Sequence, residues 1–402
     1  MIDINRFIER NVTFRNGSLF EKDIYANQEK LLDEIEGRSV LVIGGAGTIG
    51  SSFIKAILNF KPSKLVVVDI SENGLAELSR DLHSSYGMYV PKDFVTYPIN
   101  YADPVFKKMF RRERGFDIIA NFSAHKHVRS EKDEFSVQAL LENNLLHACK
   151  LLNLMIEIPP RHFFCVSTDK AANPVNIMGG SKKILEDLIF TYSKQLKVST
   201  ARFANVAFSN GSLLAGFIER IMKRQPLSAP SDVRRYFVSP QESGQICMLA
   251  CILGKSGEIF FPKLGRDQML TFSEIAKRFL SELGYNAYEC SSEEEARKMA
   301  YEMKPGDVNY PVYFSYSDTT GEKDIEEFYT KEEAISLDEY IALGVVKNGS
   351  RRRIKEIETF FSLLNKAFAS PYTKKSEIVN IVKAFLVNFY HDEKEKNLDS
   401  KM

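Results

Sequence analysis

The sequence predicts an α/β protein built on a doubly wound parallel sheet, with a smaller mixed region and a helical C-terminal extension. Short apolar segments alternate with helical patterns from Ser39 to about residue 205, and the first segment, SVLVIGG, leads directly into a glycine-rich loop. Continuously apolar strands are typical of parallel sheets that are covered by helices. Repeated strand–helix units with right-handed crossovers therefore account for this part of the chain.

The individual elements follow from changes in hydrophobic period along the chain. After the strand at Ser39, further strands are predicted at 64–69, 94–99, 116–122, 162–167 and 199–203. Helices are predicted to begin near Thr48, Asn73, Asp103, Phe135 and Asn176. A separate helical pattern covers 25–35, and another runs from Arg353 to about residue 392, before a charged tail that we expect to be disordered.

Composition excludes several classes of function. The 402 residues, 44% of them apolar, can form one large or two moderate domains. The 54 basic and 53 acidic residues leave a net charge of +1, so no general field attracts nucleic acid or an anionic membrane. Five cysteines form no CxxC pair and no zinc-type cluster with histidines, which indicates reduced thiols and no metal site. No segment approaches the ~18 apolar residues of a membrane span, so we expect a soluble, cytoplasmic protein.

The glycine-rich loop GGAGTIG predicts a dinucleotide site. Three of its glycines lie between a strand and a helix, where a tight turn and a close approach of pyrophosphate to the backbone favour glycine. Asp69 ends the next strand, where its carboxylate would hold a ribose 2′-hydroxyl and repel a 2′-phosphate, which favours NAD over NADP. The alternative is a structural turn without a nucleotide. The residues expected to bind NAD are Gly44, Gly47, Thr48, Ile49, Gly50, Asp69 and, at the adenine ring, Asn100.

A second group of polar residues follows the strand predicted at 162–167. Thr168, Asp169 and Lys170 place a hydroxyl, a carboxylate and an amine at the carboxyl end of this strand, the edge at which open α/β sheets bind ligands. In the helix that follows, Met178 and Lys182 are four residues apart and share one face. An adjacent amine and carboxylate suit acid–base chemistry, and the alternative is an ordinary surface ion pair.

Five segments together resemble a known enzyme family. They are GGAGTIG, AHKHV (124–128), STDKAANPVNIMGGSKKILE (167–186), RFANVAFSNGS (202–212) and RRYFVSPQES (234–243). These motifs resemble the extended short-chain dehydrogenase/reductases, and within them the capsular-polysaccharide-type UDP-N-acetylglucosamine 4,6-dehydratases that carry methionine instead of a catalytic tyrosine. The resemblance covers about residues 37–250, weakens towards residue 311 and leaves both ends of the chain uncovered.

The resemblance implies a dehydration in which a hydride is removed from the substrate and later returned to the same molecule. Hydride would pass from C4 of the sugar to NAD, the C5 proton and the C6 hydroxyl would leave, and the hydride would return to C6. The product would be a UDP-4-keto-6-deoxy sugar for polysaccharide or glycan biosynthesis. By this resemblance Asp169 protonates the C6 oxygen, Lys170 takes the C5 proton and Thr168 hydrogen-bonds the C4 oxygen. Lys182 would hold the nicotinamide ribose.

Met178 occupies the position at which most members of the superfamily carry the catalytic tyrosine. A thioether can act neither as an acid nor as a base. Either the C4 hydroxyl proton leaves by another route, through Asp169 or a water held by Thr168 and Lys182, or the chain is not a catalyst. Dehydratases related to large membrane-anchored enzymes also resemble this chain in having methionine here, which favours activity.

The same resemblance implies residues for a UDP-sugar substrate. Lys126, in AHKHV, would lie near the nicotinamide and the entrance of the site, and Asn205 would lie near the diphosphate. Arg234 or Arg235 would supply positive charge for that diphosphate. The family's Arg-Pro-Gly-Glu motif has Lys304 in place of its arginine, which keeps the charge but loses the bidentate geometry.

These inferences divide the chain into four parts: an N-terminal helical extension (1–36), a Rossmann-like NAD-binding domain (37–205), a nucleotide-sugar-binding region (206–345) and a helical C-terminal tail (346–402). A homo-oligomer, dimeric or larger, is expected from the superfamily.

Two alternative functions are a C4 epimerase or oxidoreductase acting on a nucleotide sugar, and a nucleotide-sugar-binding scaffold without catalysis. Lys170 favours the dehydratase, because epimerisation needs no base at C5.

Overall fold

The computed structural model describes residues 2–127, 131–317, 323, 325–387 and 389–391. Nine of the described strands form one sheet, which confirms the predicted α/β fold with a large, mostly parallel sheet. The strands are β1 (Ser39–Ile43), β2 (Lys64–Asp69), β3 (Asp93–Pro98), β4 (Ile118–Asn121), β5 (His162–Cys165), β6 (Val198–Ala201), β7 (Asn205–Val206), β8 (Leu227–Pro230), β9 (Arg234–Arg235), β10 (Phe237–Val238), β11 (Glu258–Pro262), β12 (Leu270–Thr271), β13 (Asn286–Glu289), β14 (Asn309–Ser315), β15 (Ile335–Ser336) and β16 (Leu343–Val346).

Helices connect these strands and cover the sheet. They are α1 (Ile4–Ile8), α2 (Glu21–Ala26), α3 (Gln28–Ile35), α4 (Thr48–Leu58), α5 (Glu72–Ser84), α6 (Pro104–Arg112), α7 (Glu134–Leu141), α8 (His147–Glu157), α9 (Ile177–Thr191), α10 (Leu213–Met222), α11 (Pro240–Leu253), α12 (Phe272–Glu282), α13 (Glu293–Glu302), α14 (Ile354–Phe368) and α15 (Lys375–Phe385). π-Helical turns follow α1 and join α7 to α8. Within the described ranges, no helix combines the length and the apolar character needed to cross a membrane.

The strand order places the crevice of the sheet between β1 and β4. The order is β15-β16-β11-β6-β5-β4-β1-β2-β3. β1 pairs in parallel with both β2 and β4, so the chain winds first towards β3 and then in the opposite direction through β4, β5 and β6. Open α/β sheets bind ligands at such a reversal of strand order. Antiparallel β16 and β15 complete the edge beyond β11.

Most predicted elements lie within one or two residues of those observed. The strands predicted at 116–122 and 162–167 extend beyond β4 and β5, because their last residues leave the sheet as loops. The helix predicted over 25–35 is two helices, α2 and α3, which meet at Asn27. The C-terminal helical pattern is likewise divided into α14 and α15 by a turn that contains Pro371. The tail that we expected to be disordered lies outside the described residues.

The interval 206–345, predicted as the nucleotide-sugar-binding region, also contributes strands to the central sheet. Strands β11 and β15, and β16 except for its last residue, come from this interval and pair within the nine-stranded sheet. The interval therefore contributes to the main core as well as to the smaller region beside it. The division of the chain into four domains stays a prediction.

A second hydrophobic core lies beside the main one. The three-stranded sheet β13-β14-β8 and helices α10 and α12 form it, and α1 adds its apolar face. Phe7 from α1 and Phe279 from α12 are buried there and meet edge to face, with ring centroids 5.5 Å apart. The first helix of the chain therefore packs into the smaller region.

The C-terminal helices cover α9, the helix that carries two of the predicted site residues. α15 packs on both α7 and α9, and α14 packs on α15. The ring of Phe389 would lie 3.2 Å from a Cβ placed on Gly180. Every residue of α9 from Ile177 to Phe190 except Lys183 is buried. The extension is thus part of the packing around the candidate site.

Candidate active site

The glycine-rich loop runs from the end of β1 to the start of α4. Gly44 has φ +75°, and a Cβ there would lie 2.6 Å from the backbone nitrogen of Ser123. A Cβ on Gly50 would lie 2.3 Å from the carbonyl oxygen of Gly44. Gly47, in contrast, has room for a Cβ, whose nearest neighbour would be 3.6 Å away. Packing within the protein therefore requires glycine at positions 44 and 50 and leaves position 47 open to an approaching ligand.

The start of α4 and the end of β2 complete this loop. Thr48 and Ile49 are the first residues of α4, so their N–H groups have no carbonyl partner within the helix. Asp69 accepts hydrogen bonds from the N–H groups of Ala46 at 3.0 Å and Ser71 at 2.9 Å, one on each carboxylate oxygen. Each oxygen has a further lone pair, so Asp69 can hold the loop and still accept a hydrogen bond from a ligand.

Asn100 follows β3 directly and lies on the β2 side of the glycine loop, away from β4. Its side-chain oxygen accepts a hydrogen bond from the N–H group of Ala102 at 2.9 Å, which shapes the turn before α6. β3 is two strands away from β1 in the sheet. Asn100 is therefore at the same sheet edge as the glycine loop but separated from it by β2.

Strands β1, β4 and β5 end side by side. Ile43 is paired with Asn121, and Asn121 with Cys165. Neighbouring strands lie about 4.8 Å apart, so the residues that follow β5 begin roughly 10 Å from the glycine loop along the sheet edge. The two groups of residues predicted separately from sequence are thus brought to one edge of the sheet.

Thr168, Asp169 and Lys170 form a hydrogen-bonded cluster at this edge. Thr168 Oγ1 donates to Asp169 Oδ1 at 2.8 Å, and Lys170 Nζ donates to the same oxygen at 3.2 Å. Glu326 joins them, with Oε1 3.6 Å from Lys170 Nζ and 4.0 Å from a guanidinium nitrogen of Arg235. The cluster therefore combines a hydroxyl, two carboxyl groups and two cationic groups.

The surroundings of the cluster change its proton affinities. Burial lowers the pKa of Lys170, but the carboxylates of Asp169 and Glu326 raise it by more, so the net direction is upward. Burial raises the pKa of Glu326, and the charge of Lys170 opposes that rise. Lys170 is therefore an ammonium ion near neutral pH in the free protein, and Glu326 holds a proton more tightly than an exposed carboxyl group does.

Met178 and Lys182 lie one turn apart on α9, which packs on the turn at Asp169–Ala171. Lys182 is buried, and its Nζ donates to the carbonyl oxygen of Val166 at 3.1 Å, just beyond the end of β5. Burial lowers the pKa of this ammonium group. Met178 is also buried, and its N–H donates to a carboxylate oxygen of Glu131 at 2.7 Å. The amine predicted to hold a ribose is thus at the ligand edge of the sheet.

The residues expected to contact the UDP-sugar are more widely spread. Arg235 is buried and joins the cluster, whereas Arg234 beside it is exposed. Asn205 begins β7, which pairs with β10. Lys126 is exposed after β4, and Lys304 is exposed in the turn between α13 and β14. Among the described residues, no hydrogen bond or ion pair joins Arg234, Lys126 or Lys304 to the cluster.

Sequence reasoning missed two charged residues around the site. Glu326 lies in an irregular segment outside every motif, so no spacing signal marks it. Arg202 opens the segment RFANVAFSNGS, yet it is completely buried and binds the carboxylates of Glu186 and Glu333. Here a signal existed, because an arginine that directly follows a buried strand must find acidic partners.

The sheet, the glycine loop and the polar cluster define an α/β protein with the fold of the extended short-chain dehydrogenase/reductases. The chain belongs to the polysaccharide biosynthesis protein family, whose model matches residues 40–333. The match covers the parallel strands of the central sheet, the cluster and both charged residues that sequence reasoning missed, but not the antiparallel strands β15 and β16. It ends before α14 and α15.

Individual relatives differ in how much of each chain is aligned. An uncharacterized membrane protein of Methanocaldococcus jannaschii is 30% identical over 77% of this chain and 85% of its own. A UDP-N-acetylglucosamine 4,6-dehydratase (inverting) of Campylobacter jejuni is 26% identical over 57% of this chain and 67% of its own. The X-ray structure of Pen from Bacillus thuringiensis has a TM-score of 0.64 at 20% identity, over 79% of this chain and 91% of its own, and shows the fold. The chain spans about half the length of two further curated relatives: it aligns with 44% of one and 53% of the other.

Proposed function

We propose that the protein is an NAD-dependent 4,6-dehydratase that converts UDP-N-acetylglucosamine to a UDP-4-keto-6-deoxy sugar. The observation that carries the proposal is the cluster of Thr168, Asp169 and Lys170 at the sheet edge that also bears the glycine loop. Elimination from a 4-keto sugar needs a base for the C5 proton and an acid for the C6 oxygen. An amine and a carboxylate 3.2 Å apart supply one group of each type. The dehydratase from Campylobacter jejuni supports this choice of reaction.

NAD fits the residues around the glycine loop. The space beside Gly47 allows a diphosphate to approach the backbone, and the N–H groups of Thr48 and Ile49 would donate to it. The lone pairs that remain on Asp69 would accept the ribose hydroxyls, and Lys182 would hold the nicotinamide ribose. When bound, NAD supplies a hydride acceptor that gives the hydride back to the same sugar.

The cluster offers a route for the C4 hydroxyl proton in the absence of a phenol. The Thr168 hydroxyl donates to Asp169 at 2.8 Å, so a proton that leaves the C4 oxygen can pass through Thr168 to the carboxylate. Asp169 can then give a proton to the departing C6 oxygen, which leaves as water. Lys170 takes the C5 proton in the fraction of the protein in which it is the free amine, and it later returns a proton to C5. Met178 needs no chemical role in this scheme.

The nucleotide half of the substrate would lie towards the smaller region. Asn205 and the guanidinium of Arg234 or Arg235 would meet the diphosphate, and Lys126 and Lys304 would add positive charge at the rim. A homo-oligomeric assembly and a cytoplasmic location remain predictions.

Proton NMR of the reaction in deuterated water tests the proposed function. The protein is incubated with UDP-N-acetylglucosamine, and a new C6 methyl signal with deuterium at C5 is the expected result. A C4-inverted sugar without deuterium at C5 would instead identify an epimerase. Binding of the sugar without any turnover would identify a scaffold, and either result would reject the dehydratase.

Two substitutions assign the roles within the cluster. Asp169→Asn should slow formation of the methyl product by about 10²–10⁴-fold, because the acid for the C6 oxygen is lost. Lys170→Met should abolish deuterium incorporation at C5. Lys194→Met, at an exposed lysine beyond the end of α9, is the matched control and should react like the parent protein. Equal rates in Lys170→Met and the control would remove Lys170 from the mechanism.

A further inference from the structure

Glu326 is buried beside the candidate catalytic amine. It is 5% exposed, and its Oε1 lies 3.6 Å from Lys170 Nζ. Its Oε2 is buried and accepts no hydrogen bond from any described residue. A buried carboxyl oxygen without a donor is unfavourable, so a purely structural role accounts poorly for this residue.

The segment that carries Glu326 is tied firmly to the cluster. Arg202 binds Glu333 through two N–H groups, at 2.7 and 2.8 Å. The same guanidinium binds Glu186 at 2.8 and 2.6 Å, and Glu186 accepts the hydroxyl of Ser167 at 2.6 Å. Ser167 directly precedes the cluster in the chain. One network therefore connects the residue that precedes the cluster to the segment that carries Glu326.

The charges around the amine are few and can be named. Among the described residues, Lys170 faces the carboxylates of Asp169 and Glu326 and the guanidinium of Arg235. Glu326 in turn faces Lys170, Asp169 and Arg235. In addition, Lys323 Nζ lies 3.9 Å from Glu326 Oε2. The two carboxylates favour the ammonium form of Lys170, and the two other cations oppose it. Without the charge of Glu326, a single carboxylate would face these cations.

We propose that Glu326 is a positioning residue that sets the charge of Lys170 and thereby its strength as a base. The proposal rests on the proposed function, in which Lys170 takes the C5 proton. In that step the C5–H bond breaks, an N–H bond forms on Lys170, and the electron pair moves towards C6 as the C6 oxygen leaves with a proton from Asp169. A carboxylate at 3.6 Å stabilises the ammonium that forms, so the amine becomes a stronger base for a weakly acidic carbon.

The first test measures the proton affinity of Lys170 directly and needs no substrate. The protein is labelled competitively with acetic anhydride between about pH 7 and 12, a range that includes the ordinary lysine pKa of about 10.4. Mass spectrometry then measures the labelling of the peptide that contains Lys170. Glu326→Gln removes the charge and should lower the pKa of Lys170 by about one unit or more. Glu332→Gln, exposed on the same segment, should leave it unchanged.

A conservative variant keeps the test decisive if Glu326→Gln does not fold. Glu326→Asp keeps the charge on a shorter side chain, so it should lower the pKa of Lys170 in the same direction but by less. A Lys170 pKa equal to that of the parent protein in either folded variant would overturn the proposal. A change in thermal stability alone, without a change in labelling, would assign Glu326 a structural role only.

The second test uses the reaction itself. Glu326→Gln should move the acidic limb of the pH profile for C5 deuteration to lower pH, and it should reduce the plateau kcat while KM stays within about three-fold, because only the chemical step depends on the base. If neither the acidic limb of the pH profile nor the plateau kcat changes in Glu326→Gln, the proposal is contradicted. If the parent protein forms no methyl product but the labelling shift is observed, the proposed dehydratase fails while the link between Glu326 and Lys170 stands.

Discussion

At the scale of single residues, the glycine loop contains glycines that are needed for different reasons. A Cβ on Gly50 would collide with the carbonyl oxygen of Gly44 at 2.3 Å, so this glycine is required by the fold of the loop. Gly47 has φ −73°, which any residue can adopt, and open space beside it. Packing within the protein therefore explains Gly50 but not Gly47, and the two positions can be tested independently.

Alanine substitutions at these two positions should have different effects. Gly50→Ala should lower the unfolding temperature of the free protein and weaken NAD binding, because the backbone of the loop must shift. Gly47→Ala should leave the unfolding temperature nearly unchanged and still weaken NAD binding by about ten-fold or more, because a methyl group would occupy the approach of the diphosphate. Thermal unfolding and titration calorimetry measure the two quantities. Parent-like NAD affinity in Gly47→Ala would show that no diphosphate lies at this position.

At the scale of secondary-structure elements, one guanidinium connects β6, α9 and the segment that precedes β15. Arg202 follows β6 directly, and its partners Glu186 and Glu333 come from the other two elements. The arginine is fully buried, and burial of such a charge is tolerated only because both carboxylates and their hydrogen bonds surround it. The position of the segment that carries Glu326 thus depends on a charge network rather than on apolar packing alone.

Removing this guanidinium should be strongly destabilising. Arg202→Ala leaves the buried carboxylate of Glu186 without its main partner and should lower the free energy of unfolding by about 3–5 kcal/mol. Lys223→Ala breaks an exposed pair with Glu219 and should change it by less than about 1 kcal/mol. Urea titration of the two variants compares these values. A similarly small decrease in the free energy of unfolding of both variants would mean that the network around Arg202 contributes little to stability.

At the scale of the whole molecule, several buried ionisable groups link stability to pH. Burial lowers the pKa of His162 below its ordinary value of 6.5, although the neighbouring Glu34 opposes this. Such a histidine binds a proton less readily in the folded protein than in the unfolded chain, so stability is lost as the pH falls below 6.5. Despite its burial, Glu186 has a pKa below 4.5 because of Arg202, so its contribution is lost at still lower pH. Glu326, whose pKa is raised, acts with the opposite sign.

The unfolding temperature should therefore fall on acidification. We expect little change between about pH 7 and 8 and a progressive decrease below about pH 6.5, the ordinary pKa of histidine. Differential scanning calorimetry across this range measures the effect. His162→Gln, which cannot be protonated, should reduce the slope between about pH 6.5 and 5. A constant unfolding temperature from neutral to mildly acidic pH would show that these groups do not control stability.

The local parts of the structure could be predicted from the sequence, because they depend on residues that are near one another in the chain. The strand before the glycine loop, the start of α4 and the polar residues after β5 follow from hydrophobic period and from the backbone demands of glycine. The shared edge of the sheet also follows, since parallel strands end on the same side. The division of two helical patterns was missed, at Asn27 and Pro371, because apolar spacing continues across both breaks.

The sequence by itself therefore determined the fold class, the glycine-rich loop after β1 and the group at Thr168–Lys170. Only the tertiary structure decided which charged groups surround Lys170: it selected Arg235 over Arg234 and added Glu326, from a segment without any motif. The physical reason is that the proton affinity of a partly buried amine depends on charges within a few ångströms of it, and those charges come from chain segments that only folding brings together.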